Sequence, residues 1–446
     1  MSIQAVILAG GAGKRIHPLG LSKPKSMFEI MGKPLIQFVV ENLREAGIID
    51  LIIITSPNQE QIHDHFGNGS DFGVKIQYAL QEKPLGQANA VQSAEGLVNS
   101  HFFVLNANDL FETRLLQEVM KQAEDGKADL ALVGHKVAEP WRFGVMRFDH
   151  GGKLIGVIEK PPAGQEPSDI AVVGVYYFSP DIFRCIRETP MGETDDQFER
   201  AYQLLIDQEQ GIHVEYNGLF ESYKFPWNLL TMSDLLLARE IKGQQISPSA
   251  KISERAVIGD NVIIEDNVRV FENAVVRGPA YIGAGSVIGN NAMVWGGCSF
   301  GAGCVIGFGS EIKHSIFGKN VWTHRNYVGD SIVSDNCSFG AGTITANFRF
   351  DEKEVSVSVG DQRMSTGTGK FGVIMAEGCR TGSNSVLMPG VKVGPNSIVG
   401  PGVTLLEDLG PNKIALPSRA SYEVRDNKLD LTRKSRDEQM KKLDKA

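Results

Sequence analysis

The sequence predicts an α/β domain that is followed by a parallel β-helix. Up to about residue 240, apolar runs of strand length alternate with segments of helical spacing, which favours a mostly parallel sheet flanked by helices. From Ile252 onward, large aliphatic residues recur every six positions, a period that is typical of hexapeptide β-helices and not of α-helices. Glycine is also in excess, with 49 residues where an average usage of ~7% predicts ~31. Most of this excess falls in the repeat region, where a β-helix needs tight corners.

The elements of the first domain alternate between strand and helix. In order, they are predicted at Gln4–Ala9 (strand), Leu35–Ala46 (helix), Leu51–Thr55 (strand), Gln87–Leu97 (helix) and His101–Asn106 (strand). The first strand runs directly into the glycine turn Gly10–Gly13. We assign residues 1–240 to this domain.

The second domain is predicted from its six-residue repeat. The large aliphatic positions are Ile252, Ile258, Ile264, Val270, Val276, Ile282, Ile288, Val294, Phe300, Ile306 and Ile312, and a small or β-branched residue follows each after four positions. Three hexads of ~18 residues form one coil, so Ile252–Leu406 predicts seven or eight coils. The repeat blurs between Lys313 and Thr345, and an inserted loop is expected near 346–371. We assign residues 241–421 to the β-helix and residues 422–446 to a charged tail.

Composition excludes several classes of protein. The net charge of −8 argues against a nucleic-acid surface. No apolar run reaches ~18 residues, so no membrane helix is expected, and Ile3–Ala9 is too short and lacks the basic leader of a signal peptide. The five cysteines are an odd number without a Cys-x-x-Cys pair, which argues against zinc and disulfides and favours a reducing, cytoplasmic location.

The glycine turn after the first strand is a candidate phosphate site, because glycine lets backbone amides approach phosphate oxygens closely. Two familiar phosphate motifs are absent. A Walker A loop would need glycine at Leu8 and Ser or Thr at Arg15, and the dinucleotide fingerprint would need glycine at Ile16. From the turn alone, a plain strand-to-helix connection stays equally open.

The residues that follow narrow the choice. Leu8–Arg15, Ser22–Met27 and Gly32–Leu35 together resemble the signature of sugar-1-phosphate nucleotidylyltransferases, with both spacings kept. Further matches occur in order at Gln81–Gly86, Asn108–Asp109, Phe143–Val145, Glu159–Pro161 and Gly174–Tyr176. The resemblance implies a Rossmann-like mixed sheet of the nucleotide-diphospho-sugar transferase type and a reaction in which a sugar phosphate attacks the α-phosphorus of a nucleoside triphosphate.

Both reactants of that reaction are anions, so positioning and charge neutralisation carry most of the catalysis. The resemblance implies the following roles. Leu8, Gly10, Gly11, Gly13, Gln81 and Gly86 bind the nucleotide; Arg15 holds the leaving pyrophosphate and Lys25 the α-phosphate; Gly144, Glu159 and Lys160 face the sugar phosphate; Asp109 and Asn228 bind Mg²⁺. Relatives often carry Asp at Asn228 and Asn at Val172, so the sugar stays open, as does the choice between uridine and thymidine.

A second match lies where the hexapeptide repeat blurs. Glu311–Lys313, Thr323–Asp330 and Gly340–Asn347 are similar to the acetyltransferase centre of bifunctional N-acetylglucosamine-1-phosphate uridylyltransferases, and most similar to the archaeal bifunctional type. The resemblance implies a left-handed β-helix, acetyl-CoA as cosubstrate and a homotrimer. It makes His324 the general base, an imidazole being suited to that role at neutral pH, with Tyr327 and Asn347 on the amino sugar and Lys313 and Lys353 on its phosphate. Trp295 and Phe348 depart from the pattern.

The predicted function is therefore a cytoplasmic, bifunctional enzyme of nucleotide-sugar synthesis. The favoured pair of substrates is glucosamine-1-phosphate and UTP. Two alternatives stay open at this point: a nucleotidylyltransferase whose β-helix is only structural, and a non-catalytic regulatory subunit of the same architecture. The second would be expected to lose Arg15, Lys25 and Asp109, all of which are present.

Overall fold

A computed structural model describes residues 3–11, 13–192, 196–208 and 211–418. The first domain contains the α-helices α1 (Leu35–Glu45), α2 (Glu60–Phe66), α3 (Gln87–Gln92), α4 (Thr113–Gly126), α5 (Asp181–Glu188), α6 (Gln197–Asp207) and α7 (Asn228–Glu240). Its strands are β1 (Gln4–Leu8), β2 (Glu29–Ile30), β3 (Lys33–Pro34), β4 (Asp50–Thr55), β5 (Lys75–Leu80), β6 (Phe102–Asn106), β7 (Asp109–Phe111), β8 (Leu130–Lys136), β9 (Gly144–Phe148), β10 (Leu154–Glu159), β11 (Ile170–Phe178), β12 (Gly211–Glu215) and β13 (Phe220–Ser222).

The central sheet of this domain is mixed. Its strands lie in the order β10-β9-β11-β6-β1-β4-β5, with β8 also beside β11 and β12 beside β8. Strand β1 is parallel to both β4 and β6, and helices cover both of its faces, so Val6 and Ile7 point into two separate buried cores. The carboxyl ends of β1, β4 and β6 meet at one edge of the sheet, where ligands bind in open α/β sheets.

The second domain is a prism of three parallel sheets, which confirms the predicted β-helix. The first face holds Gln245–Ile246, Val262–Ile264, Ala280–Ile282, Cys298–Phe300, Ile316–Phe317, Ile332–Val333, Ile374–Met375 and Lys392–Val393. The second face holds Lys251–Ile252, Arg269–Val270, Val287–Ile288, Val305–Ile306, Ser338–Phe339, Arg380–Thr381, Ile398–Val399 and Ile414–Ala415. The third face holds Val257–Ile258, Val275–Val276, Met293–Val294, Glu311–Lys313, Tyr327–Gly329, Ile344–Thr345, Val386–Leu387 and Thr404–Leu405.

The blurred repeat has a simple structural cause. Regular coils pair residues 18 positions apart, as Val257 does with Val275. In the blurred region Glu311 pairs with Tyr327 and Ile316 with Ile332, so these coils are two residues shorter. The expected insertion follows Ile344–Thr345 and contains a hairpin of Ser356–Val359 and Gln362–Ser365 before the first face resumes at Ile374.

The two domains share a hydrophobic core. Ile16 and Phe28 of the first domain pack in one buried cluster with Ile316, Ile332 and Phe371 of the second. Two ion pairs flank this interface: Lys23 Nζ lies 2.5 Å from Asp335 Oδ2, and Lys319 Nζ lies 2.7 Å from Glu29 Oε1. The segment that follows the glycine turn is therefore held directly against the prism.

Three further sequence predictions concern the C-terminal tail, membrane helices and the cysteines. The charged tail at 422–446 lies outside the described residues. Among the residues that are described, no helix combines the length and apolar character needed to cross a membrane. All five cysteines are buried as free thiols, and four of them, Cys298, Cys304, Cys337 and Cys379, pack inside the prism.

Candidate active sites

The carboxyl edge of the sheet carries a cleft of about 430 Å³. Its lining includes Gly10, Gly11 and Gly13 from the turn after β1, Lys25 from the short 3₁₀ helix Lys25–Met27, and Ser56 from the turn after β4. Residues that were predicted from separate motifs thus line one cavity. Ser56 was not predicted, although a polar residue directly after a parallel strand of this sheet is a signal for this edge.

Gly10 has no room for a side chain. A Cβ at this position would lie 2.8 Å from Ser56 Oγ and 3.0 Å from Gln81 Oε1, and Ser56 Oγ donates to the Gly10 carbonyl at 2.5 Å. Gln81 is buried, and its Nε2 donates to the Gly86 carbonyl at 3.1 Å and to Asn89 Oδ1 at 3.0 Å. The structure therefore brings Gly10, Gln81 and Gly86 together beside the last residue of β1, Leu8.

Two predicted cations follow the glycine turn. Gly13 adopts a positive φ of 61° and leads into a short 3₁₀ helix that carries Arg15, which is exposed. Lys25 is more enclosed, with its Nζ 5.3 Å from the centre of the Tyr223 ring. Burial lowers the pKa of Lys25 to about 8, and the nearby Arg15 and Lys224 act in the same direction, whereas Asp109 opposes them. Lys25 is thus a cation that the fold holds ready for an anionic ligand.

Asp109 lies at the start of β7 and is almost fully buried. Asn106 Nδ2 donates to its Oδ2 at 2.9 Å, and Ser222 Oγ donates to its Oδ1 at 2.6 Å. Burial raises the pKa of Asp109, although the hydrogen bonds from Ser222 and Asn106 and the charges of Lys25 and Lys224 oppose this. A buried carboxylate with a raised pKa is characteristic of functional sites.

Asn228, the second predicted metal ligand, begins α7 and contacts Glu221. Its Nδ2 donates to Glu221 Oε1 at 3.1 Å, while its Oδ1 accepts the backbone N–H groups of Phe225 at 2.8 Å and Lys224 at 3.2 Å. The oxygen that was assigned to the metal therefore accepts two backbone hydrogen bonds from the turn that precedes α7. The role of Asn228 in metal binding stays a prediction, and its direct effect in this structure is to orient Glu221.

Glu221 and Lys224 were missed by the sequence analysis. Burial raises the pKa of Glu221, as does the nearby Asp109 carboxylate, while the hydrogen bond from Asn228 and the charge of Lys224 oppose the rise. The Lys224 Nζ lies 5.1 Å from the centre of the Phe143 ring, next to the predicted sugar-phosphate residue Gly144. No sequence signal identified them, because β13 reaches β7 from more than one hundred residues away.

The predicted sugar-phosphate residues share one hairpin. Gly144 begins β9 and pairs with Glu159 at the end of β10. A Cβ on Gly144 would lie 2.8 Å from Glu159 Oε2, and Lys160 Nζ forms an ion pair with Glu159 Oε1 at 3.0 Å. Both charged side chains are largely exposed, so they are accessible to a ligand.

Substituting Gly174 with Ala is expected to disable the Asp109 site without unfolding the domain. A Cβ on Gly174 would lie 2.5 Å from Asp109 Oδ2 and closer still to Asn106 Nδ2, so it would push the carboxylate aside. Displacing a reacting group by ~1 Å costs about 10²-fold in rate, and we expect that loss in nucleotidylyl transfer. The matched control is Gly126→Ala on α4, whose Cβ would meet only Ile212 Cγ2 at 3.6 Å. Equal pyrophosphate release from both variants would contradict this role of Gly174.

The second predicted site lies on the third face of the prism. Lys313, Tyr327 and Ile344 belong to three consecutive strands of that face, and Asn347 follows shortly after the last of them. The Tyr327 hydroxyl and the Asn347 amide both lie beside Gly329, and burial raises the pKa of Tyr327. The shortened coils therefore stack residues from three separate sequence motifs into one column.

His324 is exposed in the turn that precedes the strand of Tyr327. Its backbone is fixed, because its N–H donates to Asn326 Oδ1 at 2.7 Å and its carbonyl accepts from Ser310 Oγ at 2.7 Å. Lys353 is exposed at the base of the insertion. Trp295 donates from Nε1 to Glu311 Oε1 at 2.9 Å on the same face.

Comparisons with known proteins cover both domains. Residues 4–219 match the family described as Nucleotidyl transferase, and residues 372–407 match Bacterial transferase hexapeptide (six repeats). The chain is 37% identical over 389 residues to the bifunctional protein GlmU of Methanococcus maripaludis, covering 87% of this chain and 90% of that protein. It is 34% identical over 392 residues to the bifunctional protein GlmU of Methanocaldococcus jannaschii, covering 87% and 91%.

A third relative is the bifunctional sugar-1-phosphate nucleotidylyltransferase/acetyltransferase of Sulfurisphaera tokodaii. It is 30% identical over 397 residues, which cover 87% of this chain and 93% of that protein. These relatives span both domains, and the resemblance stated from the motifs is confirmed. The chain belongs to the family of bifunctional sugar-1-phosphate nucleotidylyltransferases/acetyltransferases.

Proposed function

We propose that this enzyme makes a nucleotide sugar in two successive steps. In the first, the amine of an amino-sugar-1-phosphate attacks the thioester carbonyl of acetyl-CoA, the amine loses its proton and CoA leaves as the thiol. In the second, a phosphate oxygen of the N-acetyl sugar phosphate attacks the α-phosphorus of a nucleoside triphosphate, and pyrophosphate leaves. The prism, residues 241–421, performs the first step and the α/β domain, residues 1–240, performs the second. Glucosamine-1-phosphate and UTP are the favoured substrates, with dTTP as the alternative donor.

One observation carries the nucleotidylyl step. The Lys25 ammonium and the Asp109 carboxylate interact at the sheet edge that also holds the glycine turn. Backbone amides of the turn and Arg15 can hold the triphosphate, and Lys25 can neutralise the α-phosphate as the new bond forms. Arg15 and Lys25 would then supply positive charge where the triphosphate and the sugar phosphate must approach each other.

The residues around Asp109 also suit Mg²⁺. Within the described ranges, no cluster of three His, Cys, Asp or Glu side chains is available to a metal. Asp109 and Glu221 nevertheless place two interacting carboxylates in one buried region, and burial raises the pKa of each. Mg²⁺ is typically bound by one or two carboxylates together with substrate phosphates. Asp109 would hold it, Asn228 stays the predicted second ligand, and Glu221 adds negative charge nearby. When bound, Mg²⁺ neutralises charge on the triphosphate.

The acetyl step is supported by the column on the third face. Tyr327 and Asn347 have their polar groups side by side next to Gly329 and can orient the amino sugar. Lys313, one strand away, and Lys353 can bind its phosphate, and His324 in the adjoining turn can accept the proton of the amine. Acetyl-CoA would lie along the prism.

A homotrimer and a cytoplasmic location complete the proposal. Trp322, Ile398 and Ile414 expose 57%, 38% and 54% of their surface along the second face. Ser338 and Arg380 lie between Trp322 and Ile398 on this face. Exposed apolar side chains on a flat sheet are suited to burial against another copy. Light scattering of the purified chain is expected to give three times its monomer mass.

A matrix of substrates tests both steps. The purified enzyme is incubated with Mg²⁺, acetyl-CoA, each of several amino-sugar-1-phosphates and either UTP or dTTP, and products are identified by mass spectrometry. The expected product is UDP-N-acetylglucosamine. Nucleotidylyl transfer without any acetylation would instead favour a structural prism, and nucleotide binding without turnover in any combination would favour a regulatory subunit.

A further inference from the structure

The His314 ring lies between two carboxylates that come from different domains. Its Nδ1 is 2.8 Å from Asp330 Oδ1, on the next coil of the prism, and its Nε2 is 3.0 Å from Asp234 Oδ2, on helix α7 of the α/β domain. An ionised carboxylate only accepts hydrogen bonds, so both ring nitrogens must donate. With both carboxylates ionised, the two contacts are satisfied by a doubly protonated imidazolium at the interface between the domains.

This imidazolium is connected to the acetyltransferase column. The second oxygen of Asp330 accepts a hydrogen bond from Asn347 Nδ2, and the Tyr327 hydroxyl lies beside Gly329 together with that amide. The two side chains converge on Gly329, where a Cβ would lie 2.6 Å from Asn347 Nδ2 and 2.8 Å from Tyr327 Oη. A continuous chain of polar contacts thus runs from helix α7 to Asn347, and the Tyr327 hydroxyl lies next to Asn347.

The backbone around these polar contacts has different residue types at positive φ from most of the prism. Most of its non-glycine residues with positive φ are asparagines, namely Asn261, Asn267, Asn273, Asn291, Asn320, Asn336, Asn384, Asn396 and Asn412. His314 and Asp330 also adopt positive φ values, 42° and 46°, a conformation in which Asn, Asp and His are all enriched. Gly297 has no room for a side chain, because a Cβ there would lie 2.7 Å from His314 Cδ2 and 3.3 Å from Asp234 Oδ1. Gly297, His314 and Asp330, on three successive coils, therefore all take part in this arrangement.

The charges that surround the ring also favour its protonated form. Asp234 and Asp330 face it, and the neighbouring Cys298 thiol stays neutral because burial raises its pKa to about 12. Hydrogen bonds to Asp234 and Asp330 raise the pKa of His314 to about 9, against the opposing effect of burial. At neutral pH the ring is a fixed cation, and it holds Asp330 in the orientation that Asn347 contacts.

We propose that Asp234 and His314 are positioning residues of the acetyltransferase centre, so that a helix of the nucleotidylyltransferase domain is part of the acetyl-transfer machinery. The inference rests on the acetyl transfer proposed above. It assigns no contact with substrate to either residue: both act through Asp330 on Asn347 and Tyr327. Loss of these polar contacts is therefore expected to weaken binding of the amino sugar more than it slows the chemical step.

The test compares Asp234→Asn, Asp234→Glu and His314→Gln in the full-length enzyme. Asp234→Asn and His314→Gln are expected to raise KM for the amino-sugar phosphate about 10-fold with a smaller change in kcat, and Asp234→Glu is expected to recover much of the loss. Nucleotidylyl transfer, measured on the acetylated sugar phosphate, is expected to stay within about twofold of wild type. Glu29→Gln is the matched control, because it breaks the Lys319–Glu29 ion pair at the same interface without touching His314.

The pH dependence separates positioning from general destabilisation. Because the pKa of His314 is raised to about 9 in the folded protein, the ring is protonated at neutral pH and loses its proton as the pH rises through about 9. KM for the amino sugar should rise over that range, and in Asp234→Asn the inflection should move about one pH unit lower. Titration of the His314 ¹⁵N shifts by NMR reads the same protonation without turnover.

Three outcomes distinguish the two proposals. Wild-type enzyme that acetylates none of the amino sugars would overturn the acetyl-transfer proposal itself, and with it any role of Asp234 in that reaction. The positioning role alone would be overturned if Asp234→Asn and His314→Gln kept the turnover and KM of wild type and showed the same inflection of KM with pH. An equal loss in Glu29→Gln would overturn it as well, since the effect would then belong to the interface in general.

Discussion

Replacing His324 with Ala is expected to abolish acetyl transfer and to leave nucleotidylyl transfer intact. A positioned general base contributes about 10²–10⁴-fold to a rate, so the acetyl-transfer kcat should fall by that factor in a thiol-release assay. Folding should not suffer, because the hydrogen bonds of His324 are made by its backbone N–H and carbonyl and survive the substitution. The side chain is exposed, so little packing is lost.

Two further measurements give this prediction its control. Added imidazole should restore part of the activity of His324→Ala, because a small base can occupy the space of the lost ring. His150→Ala, at an exposed position in a turn of the α/β domain, should match wild type in both reactions. Acetyl transfer by His324→Ala within about threefold of wild type would rule out its role as the base.

The sequence was sufficient where chemistry follows a local motif. The glycine turn, Lys25 and Asp109 were predicted from short runs. The glycine turn and Asp109 follow neighbouring parallel strands whose carboxyl ends lie at one sheet edge, and Lys25 lines the cleft together with the glycine turn. The hexapeptide period likewise predicted the three faces of the prism, since one register repeats in almost every coil. Local patterns were enough for these features because each depends on contacts that the pattern itself repeats.

Local sequence motifs did not predict contacts between segments that are far apart in the sequence. Glu221 and Ser222 reach Asp109 only because β13 pairs with β7, and Asp234 reaches His314 across 80 residues. Asn228 was chosen from the family resemblance. Its role in metal binding stays a prediction, and the sequence did not indicate that two backbone N–H groups donate to its oxygen. A side chain's type sets what it can bind, whereas its neighbours in the fold decide what it does bind.

Replacing Lys25 with Met is expected to lower kcat/KM for nucleotidylyl transfer by about 10²–10³-fold, the usual cost of removing one donor aimed at developing negative charge. Met keeps the length and packing of the side chain and removes only the cation. Acetyl transfer should be unchanged. Lys121→Met, on the exposed surface of α4, is the matched control for the loss of one positive charge.

The pKa of Lys25 adds a signature that only the proposed role predicts. Burial lowers that pKa to about 8, so near pH 8.5 much of the free enzyme carries a neutral Lys25. A bound triphosphate favours the ammonium form, and binding should therefore take up protons, which calorimetry in buffers of different ionisation enthalpy measures directly. Wild type should show this uptake and Lys25→Met should not.

The same shift also affects stability, with a definite sign. The folded protein binds the Lys25 proton less tightly than the unfolded chain, whose lysine titrates near 10.5. The unfolded state therefore holds more protons between about pH 8 and that value, and the free energy of unfolding of wild type gains a positive contribution as the pH rises through that range. Lys25→Met removes the contribution, and its thermal stability at neutral pH should equal or exceed that of wild type because no charge remains to be buried. In the calorimetry experiment, wild-type proton uptake on triphosphate binding by Lys25→Met would show that another group, and not Lys25, receives the proton.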